Sequence, residues 1–371
     1  MKLRFLAPLY AHPGPIASVL LDTSRDGDDP DRALDLRWRR LRKRLLAHEA
    51  DKPTVAVVEA ALGADSGVGG RHGRAVFAAG GRLLADRPLP EPPVRDSALY
   101  GMLPDALELA LQYAPGISYT AVLIRRVQVH APEPGGAVEE DFDVHCESGT
   151  WPMSRVAPGA HVHRRFPVES WPGQAERLRG ELLAGMEGDG SEVIALVGDP
   201  WAVNSLARPA PGRLHGAFVK LEDGHHPHRP EPGRALLEEE LELLFDGRLP
   251  HRDEQQIDAY LGQRARHRQE VEGLAATVAA LQRGQARALI LDVPVDLDRR
   301  LRVGTEANHL ALSGEELSAF GLTSHWEEPA PGAALIRAAV GTRAELIAVP
   351  RAALPLTDGA AVLLRYTAPD A

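Results

Sequence analysis

A single cysteine, Cys146, stands in 371 residues. It excludes an internal disulfide and fits a reducing compartment. Aromatics make up only 5% of the chain, so Ala, Leu and Val must fill most of the core. No run of ~18 apolar residues is present, so no membrane-spanning helix is expected. Met1 to Tyr10 is apolar but has neither a long hydrophobic region nor a cleavage site. A cytoplasmic protein with no membrane partner is the expectation. Positive charge is in the minority, with 42 Lys and Arg against 52 Asp and Glu and a net charge of -10. That balance excludes a whole-molecule nucleic-acid binder, so any RNA contact must come from local basic patches, and no DNA partner is expected. Zinc spacings, a nucleophile elbow, a Walker loop and a kinase signature are all missing. No acidic pair stands out as a catalytic dyad, and nothing in the spacing calls for a cofactor.

Hydrophobic residues at 44% and charged residues at 25% are ordinary for a globular chain. The length allows two or three domains. Helical and extended patterns alternate throughout, which makes the class α/β. Ile16 to Leu21 reads as a strand. From Asp31 a helix places Leu34, Trp38, Leu41 and Leu45 on one face. Its other faces carry Arg37, Arg39, Arg40, Arg42, Lys43 and Arg44, either a solvated basic face or a phosphate-contacting one. Thr54 to Leu62 is a second helix. Gly67 to Gly73 holds Arg71 and His72 in a glycine-rich turn that matches no phosphate-binding loop and reads as a connector. Arg74 to Ala79 and Arg82 to Asp86 form a hairpin across Gly80-Gly81. Pro88 to Pro93 is a spacer, and a domain boundary falls near Pro115-Gly116.

Ser118 to Arg125, Arg126 to Ala131 and Ala137 to Val144 read as three strands. The stretch from Gly149 to Leu183 then opens as a long loop rich in Pro, Gly and basic residues. Arg155, His161, His163, Arg164 and Arg165 lie in it. It enters a helix near Ser170, with Pro172 in the first turn. A loop of that length inside a domain is functional or disordered, and we expect it to face a large partner. Val193 to Val197 is a strand buried on both faces, closed by Gly198-Asp199-Pro200. His215 to Leu221 is a further strand. His225, His226 and His228 follow in a polar linker after Glu222 and Asp223. No thiol is near, and their spacing fits no standard site, so no metal is expected.

Leu236 to Phe245 is an acidic amphipathic helix, with Glu238, Glu239, Glu240 and Glu242 on a solvated face. Asp253 to His267 continues helically. Leu274, Val278 and Leu281 mark a helix that ends at Gly284. Ala288 to Asp292 is a strand, Glu315 to Phe320 a short helix, and Leu335 to Val340 helical. Glu345 to Val349 and Ala360 to Tyr366 close the chain as strands.

The segment Gly273-Leu274-Ala275-Ala276-Thr277-Val278-Ala279-Ala280-Leu281, with Gly284 and Ala288-Leu289-Ile290-Leu291, resembles a helix-Gly-strand unit. That unit belongs to the third domain of Pelota and of the archaeal and eukaryotic class-one termination factor. Gly359 to Tyr366, a glycine and an apolar run ending in Leu-Arg-Tyr, resembles that family's closing strand. Val193 to Asp199 resembles the strand that precedes its third domain. The N-terminal half matches in layout more than in letters. The resemblance is to the bacterial, release-factor-like branch, typified by the ribosome hibernation factor Balon.

This resemblance implies an α/β chain of three domains in the layout of the archaeo-eukaryotic class-one release factor and Pelota, at 1–115, 116–230 and 231–371. They would face the decoding centre, the peptidyl-transferase centre and a translational GTPase, in bacteria elongation factor Tu. The family's Asn-Ile-Lys-Ser connector corresponds to Ala50-Asp51-Lys52-Pro53, where only Lys52 agrees. Stop-codon reading is therefore not implied, while a cationic tip is. The family's Gly-Gly-Gln is missing. Gly69-Gly70, Gly80-Gly81 and Gly135-Gly136 are none of them followed by Gln, and Pro172-Gly173-Gln174 is the nearest candidate. The implied function is a non-catalytic factor that occupies the A site of idle ribosomes. Lys52, Arg71, His72, Arg155, His161, His163, Arg164 and Arg165 would contact rRNA of both subunits. The alternative is a peptidyl-tRNA hydrolase or rescue release factor using Gln174.

Overall fold

The computed structural model describes residues 1–64, 67–130, 138–208, 216–222, 234–319 and 321–366. The folded chain forms two compact units. One joins Met1–Pro115 to His251–Ala371, and the other is Gly116–Pro250.

The first unit opens with a 3-10 segment at Arg4–Ala11, then β1 (Ile16–Asp22), α1 (Pro30–Ala47), α2 (Lys52–Gly63), β2 (Gly73–Ala79), β3 (Arg82–Leu89), β4 (Ser97–Gly101) and α3 (Leu107–Tyr113). The four strands form an antiparallel sheet in the order β3-β2-β1-β4. Asp29 caps α1 by accepting from the backbone N–H of Arg32, and Pro30 begins the helix where a missing N–H costs nothing. Trp38, Leu41 and Leu45 recur at helical spacing and are buried against Val19 and Leu21 of β1. The expected helices and hairpin are present. The expected spacer is partly strand, because β3 runs on to Leu89.

The second unit holds β5 (Ile117–His130), β6 (Val138–Trp151), β7 (Ala160–Pro167), α4 (Trp171–Asp189), β8 (Val193–Gly198), α5 (Pro200–Leu206), β9 (Phe218–Lys220) and α6 (Glu238–Phe245). Its sheet order is β7-β6-β5-β8-β9, with β5-β8 and β8-β9 parallel and the other pairs antiparallel. One face packs Phe142, Val144, Ile194 and Leu196 against Trp171, Ala175 and Leu178 of α4 and Leu206 of α5. The other packs Tyr119, Ala121, Ala195 and Val197 against Leu236, Leu237, Leu241 and Phe245. The run 193–197 is apolar at every position because α4 and α6 cover both of its faces. Burial of a side chain the size of Phe142 contributes about 2–3 kcal/mol. Gly198 (φ 120°) ends β8 where a Cβ would sit 1.8 Å from the Ile124 carbonyl oxygen, so only glycine fits.

Three expectations are corrected here. The two strands expected from Ser118 are one as far as the described residues reach: β5 runs through Arg125-Arg126 to His130, and among the described residues its second half pairs with β6 alone, as a ribbon. The expected long loop from Gly149 is mostly ordered. β6 continues to Trp151, a 3-10 turn spans Met153–Arg155, and β7 pairs with β6 from Ala160 to Pro167. The segment 234–250, assigned above to a C-terminal domain, packs on β5 and β8 through the apolar residues just named. Gly135-Gly136, His215, His225, His226 and His228 lie outside the described residues.

The chain returns to the first unit with α7 (His251–Val271), α8 (Leu274–Gln282), β10 (Ala286–Val293), β11 (Leu301–Gly304), β12 (Leu310–Ala311), α9 (Gly314–Ala319), β13 (His325–Glu328), α10 (Pro331–Thr342), β14 (Glu345–Pro350) and β15 (Ala360–Leu364). β10 lies between parallel β14 and antiparallel β15. A second sheet runs β12-β11-β13. The parallel β10-β14 pair needs a crossover, and α10 supplies its last part, burying Ala333, Ala334, Leu335, Ile336, Ala338 and Ala339. Lys2 bridges to Glu345, tying the start of the chain to β14.

Candidate nucleic-acid interface

β7 is an outer strand of its sheet, and period two sorts its side chains. Val162, Arg164 and Phe166 face α4: Phe166 lies 5.9 Å from the Trp171 ring, and Arg164 Nη1 donates to Glu181 of α4 at 2.6 Å. His161, His163 and Arg165 point the other way, over Asp143 and His145 of β6. His163 and Arg165 remain exposed, while Asp143 and His145 are half-buried beneath them. The close approach of the two strands begins at Gly159, where a Cβ would meet the Ser148 carbonyl oxygen at 1.6 Å.

Asp143 accepts from three side chains: His163 Nε2 at 2.5 Å, His145 Nε2 at 3.2 Å and Arg165 Nε at 3.2 Å. Burial works to raise its pKa, and these three donors overcome burial and hold the carboxyl below its usual range. Burial lowers the pKa of His145 against the pull of Asp143, and the neighbouring His163 and His161 lower it further. The His145 ring stacks on both others, with centroids 4.4 Å from His163 and 5.2 Å from His161. His145 Nδ1 lies 3.2 Å from His161 Nε2.

Two residues further along the same face of β6, Glu147 is buried. It accepts from the Tyr119 hydroxyl at 3.2 Å and the Leu236 backbone N–H at 3.1 Å. Burial pushes this carboxyl above the usual range in spite of those bonds. Beside it Arg155 donates to Glu238 at 3.0 Å and lies over the Trp151 ring, and Arg234 pairs with the same Glu238. Glu238 and the buried Glu240 therefore do not form the fully solvated acidic face expected of α6.

The sequence candidates thus separate. His161, His163 and Arg165 come together on one face of β7, and Arg164 lies on its other face, paired with Glu181. Arg155 is buried and ion-paired, and His72 is fully buried with Nδ1 3.1 Å from the Gly70 carbonyl, which removes both from any contact surface. Arg71 is exposed but lines a 430 Å³ cleft with Asp22, Asp26, Asp28 and Asp29, surroundings that repel phosphate. Lys52 is exposed at the first turn of α2. On α1, Arg40, Lys43 and Arg44 are exposed with no acidic partner among the described residues, while Arg37 pairs with Asp22 and Asp96. Gln174 is half-buried in the first turn of α4. Sequence reasoning missed Asp143 and His145. Their signal was period two, Asp143-x-His145 against His161-x-His163-x-Arg165.

Residues 122–266 match bacterial archaeo-eukaryotic release factor family 2. The matched stretch runs from within β5 to within α7 and covers less than half of the chain. No curated protein matches. Among solved structures the chain is similar to an archaeal translation termination factor, with 13% identity over 99% of each chain and a TM-score of 0.21. Archaeal Pelota, from a ribosome-bound assembly, is similar at 13% identity over 99% of this chain and 95% of its own, with a TM-score of 0.33. Dom34 of S. cerevisiae, a translation termination-like factor, is similar at 10% identity over 81% of each chain, with a TM-score of 0.32. Among the described residues no helix is long and apolar enough to cross a membrane.

Proposed function

We propose that this protein is a ribosome-associated translation factor that occupies the A site of idle ribosomes without catalysing peptide release. Elongation factor Tu is the proposed GTPase partner. The observation that carries the reading is the exposed strand β7 inside the matched segment, with His161, His163 and Arg165 on one face and Arg164 on the other. Guanidinium groups suit phosphate oxygens, and imidazoles offer flat faces to unstacked bases. A body with net charge -10 then binds structured RNA through local cationic surfaces rather than overall attraction. The exposed Arg40, Lys43, Arg44 and Lys52 provide a second such surface. The sequence holds no Gly-Gly-Gln, and Gln174 sits within a helical turn beside the buried Trp171.

The test is sedimentation with vacant and with translating ribosomes, followed by a peptidyl-tRNA release assay on the same samples. Binding to vacant ribosomes without release is expected. Arg164→Glu with Arg165→Glu should weaken it and make log K less steep in log salt, by roughly 0.7–0.9 for each phosphate no longer neutralised. Release that vanishes in Gln174→Ala would establish the hydrolase instead. Absence of binding to either ribosome state would overturn the ribosomal reading.

A further inference from the structure

Asp143, His145 and His163 bring one carboxylate oxygen and two imidazole nitrogens within 4.8 Å of one another. Sheet register creates the convergence. Asp143 and His145 are two apart on β6 and share a face, and His163 is the cross-strand partner of His145. Ribosome binding does not require the inward convergence of these three donors. Two imidazoles and a carboxylate form a donor set suited to borderline divalent ions, as in zinc sites with three protein ligands.

We propose that Asp143, His145 and His163 bind a divalent transition-metal ion, with zinc the first expectation. Ligand atoms about 2.0–2.2 Å from zinc in a tetrahedron lie roughly 3.3–3.5 Å apart. His145 Nε2 lies 3.2 Å from Asp143 Oδ2, close to that spacing. His163 Nε2 lies 2.5 Å from the other oxygen, Oδ1, and the exposed His163 side chain must rotate away from Oδ1 to share an ion with Oδ2. A neutral imidazole carries one proton, and facing a carboxylate it carries it on Nε2. Coordination through Nε2 moves that proton to Nδ1. For His145 the acceptor is already in place, His161 Nε2 at 3.2 Å. Arg165 Nε holds Asp143 in orientation. These are the outer contacts that fix ligand tautomer and direction in metal sites. Three protein ligands leave one tetrahedral position for water or another oxygen donor.

The test uses the full chain after chelator treatment and dialysis. His225, His226 and His228 are changed to Gln throughout, to remove competing imidazoles. Cobalt(II) is followed by visible absorption and zinc by calorimetry. We expect one equivalent to bind and cobalt to give tetrahedral d–d bands. His163→Gln, at an exposed position where the fold survives, should weaken binding by about 100-fold or more, and Arg165→Gln by about 10-fold. Absence of bands at stoichiometric cobalt, or equal affinity in His163→Gln, would overturn the proposal. Because no ribosome is present, either result leaves the translational reading untouched.

Discussion

Two carboxylates on one face of β6, Asp143 and Glu147, are held in opposite ways. At Glu147 the sheet is covered by the segment leading into α6, and burial outweighs the hydrogen bonds. At Asp143 three donors outweigh burial. The side chains differ by one methylene and the positions by four residues. What separates them is what reaches each carboxylate: the Tyr119 hydroxyl and the Leu236 N–H under a covering segment at Glu147, and the side chains of His145, His163 and Arg165 at Asp143. A strand face is therefore not one environment, and a charged site arises where the covering stops.

The largest disruption of this contrast is Gly159→Ala. Its Cβ would overlap the Ser148 carbonyl oxygen, so β7 must leave β6, and destabilisation of about 3–5 kcal/mol is expected, read as a fall in the denaturant midpoint. Arg155→Ala acts on the covered end alone. It removes one of the two arginines paired with the half-buried Glu238 and should cost about 2–3 kcal/mol by the same measurement, with the exposed end intact. Asp143→Asn acts on the other end, at about 1–2 kcal/mol in chelator-treated protein.

Acid titration sharpens the contrast. Asp143 has a depressed pKa, so its contribution is present above the ordinary carboxylate value and lost as pH falls through the lowered one. His145 is held neutral, so the unfolded chain takes up its proton first as pH falls, in the same destabilising direction. Asp143→Asn should flatten the acid limb of a stability-pH curve. Glu147 has a raised pKa, so its contribution is present below the ordinary value and lost as pH rises through the raised one. Glu147→Gln keeps an acceptor for Leu236 N–H and can donate to Tyr119. It should change stability by less than about 1 kcal/mol while removing that loss with rising pH, and an unchanged slope would refute this account.

Elements with strong apolar periodicity were legible in the sequence: β1, α1, α2, the β2-β3 hairpin, β8 and α8. β7 was not, because its side chains are almost all exposed and His and Arg replace the apolar half of the alternation. β5 was split at Arg125-Arg126 because polar residues mark the end of a core strand, and here the strand outruns the core as a ribbon. Of the candidate site, His163 and Arg165 were named for their charge. Asp143 and His145 needed the β6-β7 register, which no local pattern of residues supplies. Arg155 and His72 were named for the same reason as His163 and proved buried, since a residue's type does not reveal what packs over it.

The outward edge of β7 has a consequence for the molecule's behaviour in concentrated solution. Among the described residues no strand pairs with that edge, and an open edge invites a second copy to extend the sheet, the usual start of amyloid-like association. Here two copies meeting edge to edge would bring Arg164 and Arg165 of each against the other. The side chains that suit an RNA contact therefore also act as gatekeepers, holding the protein back from polymerising with itself.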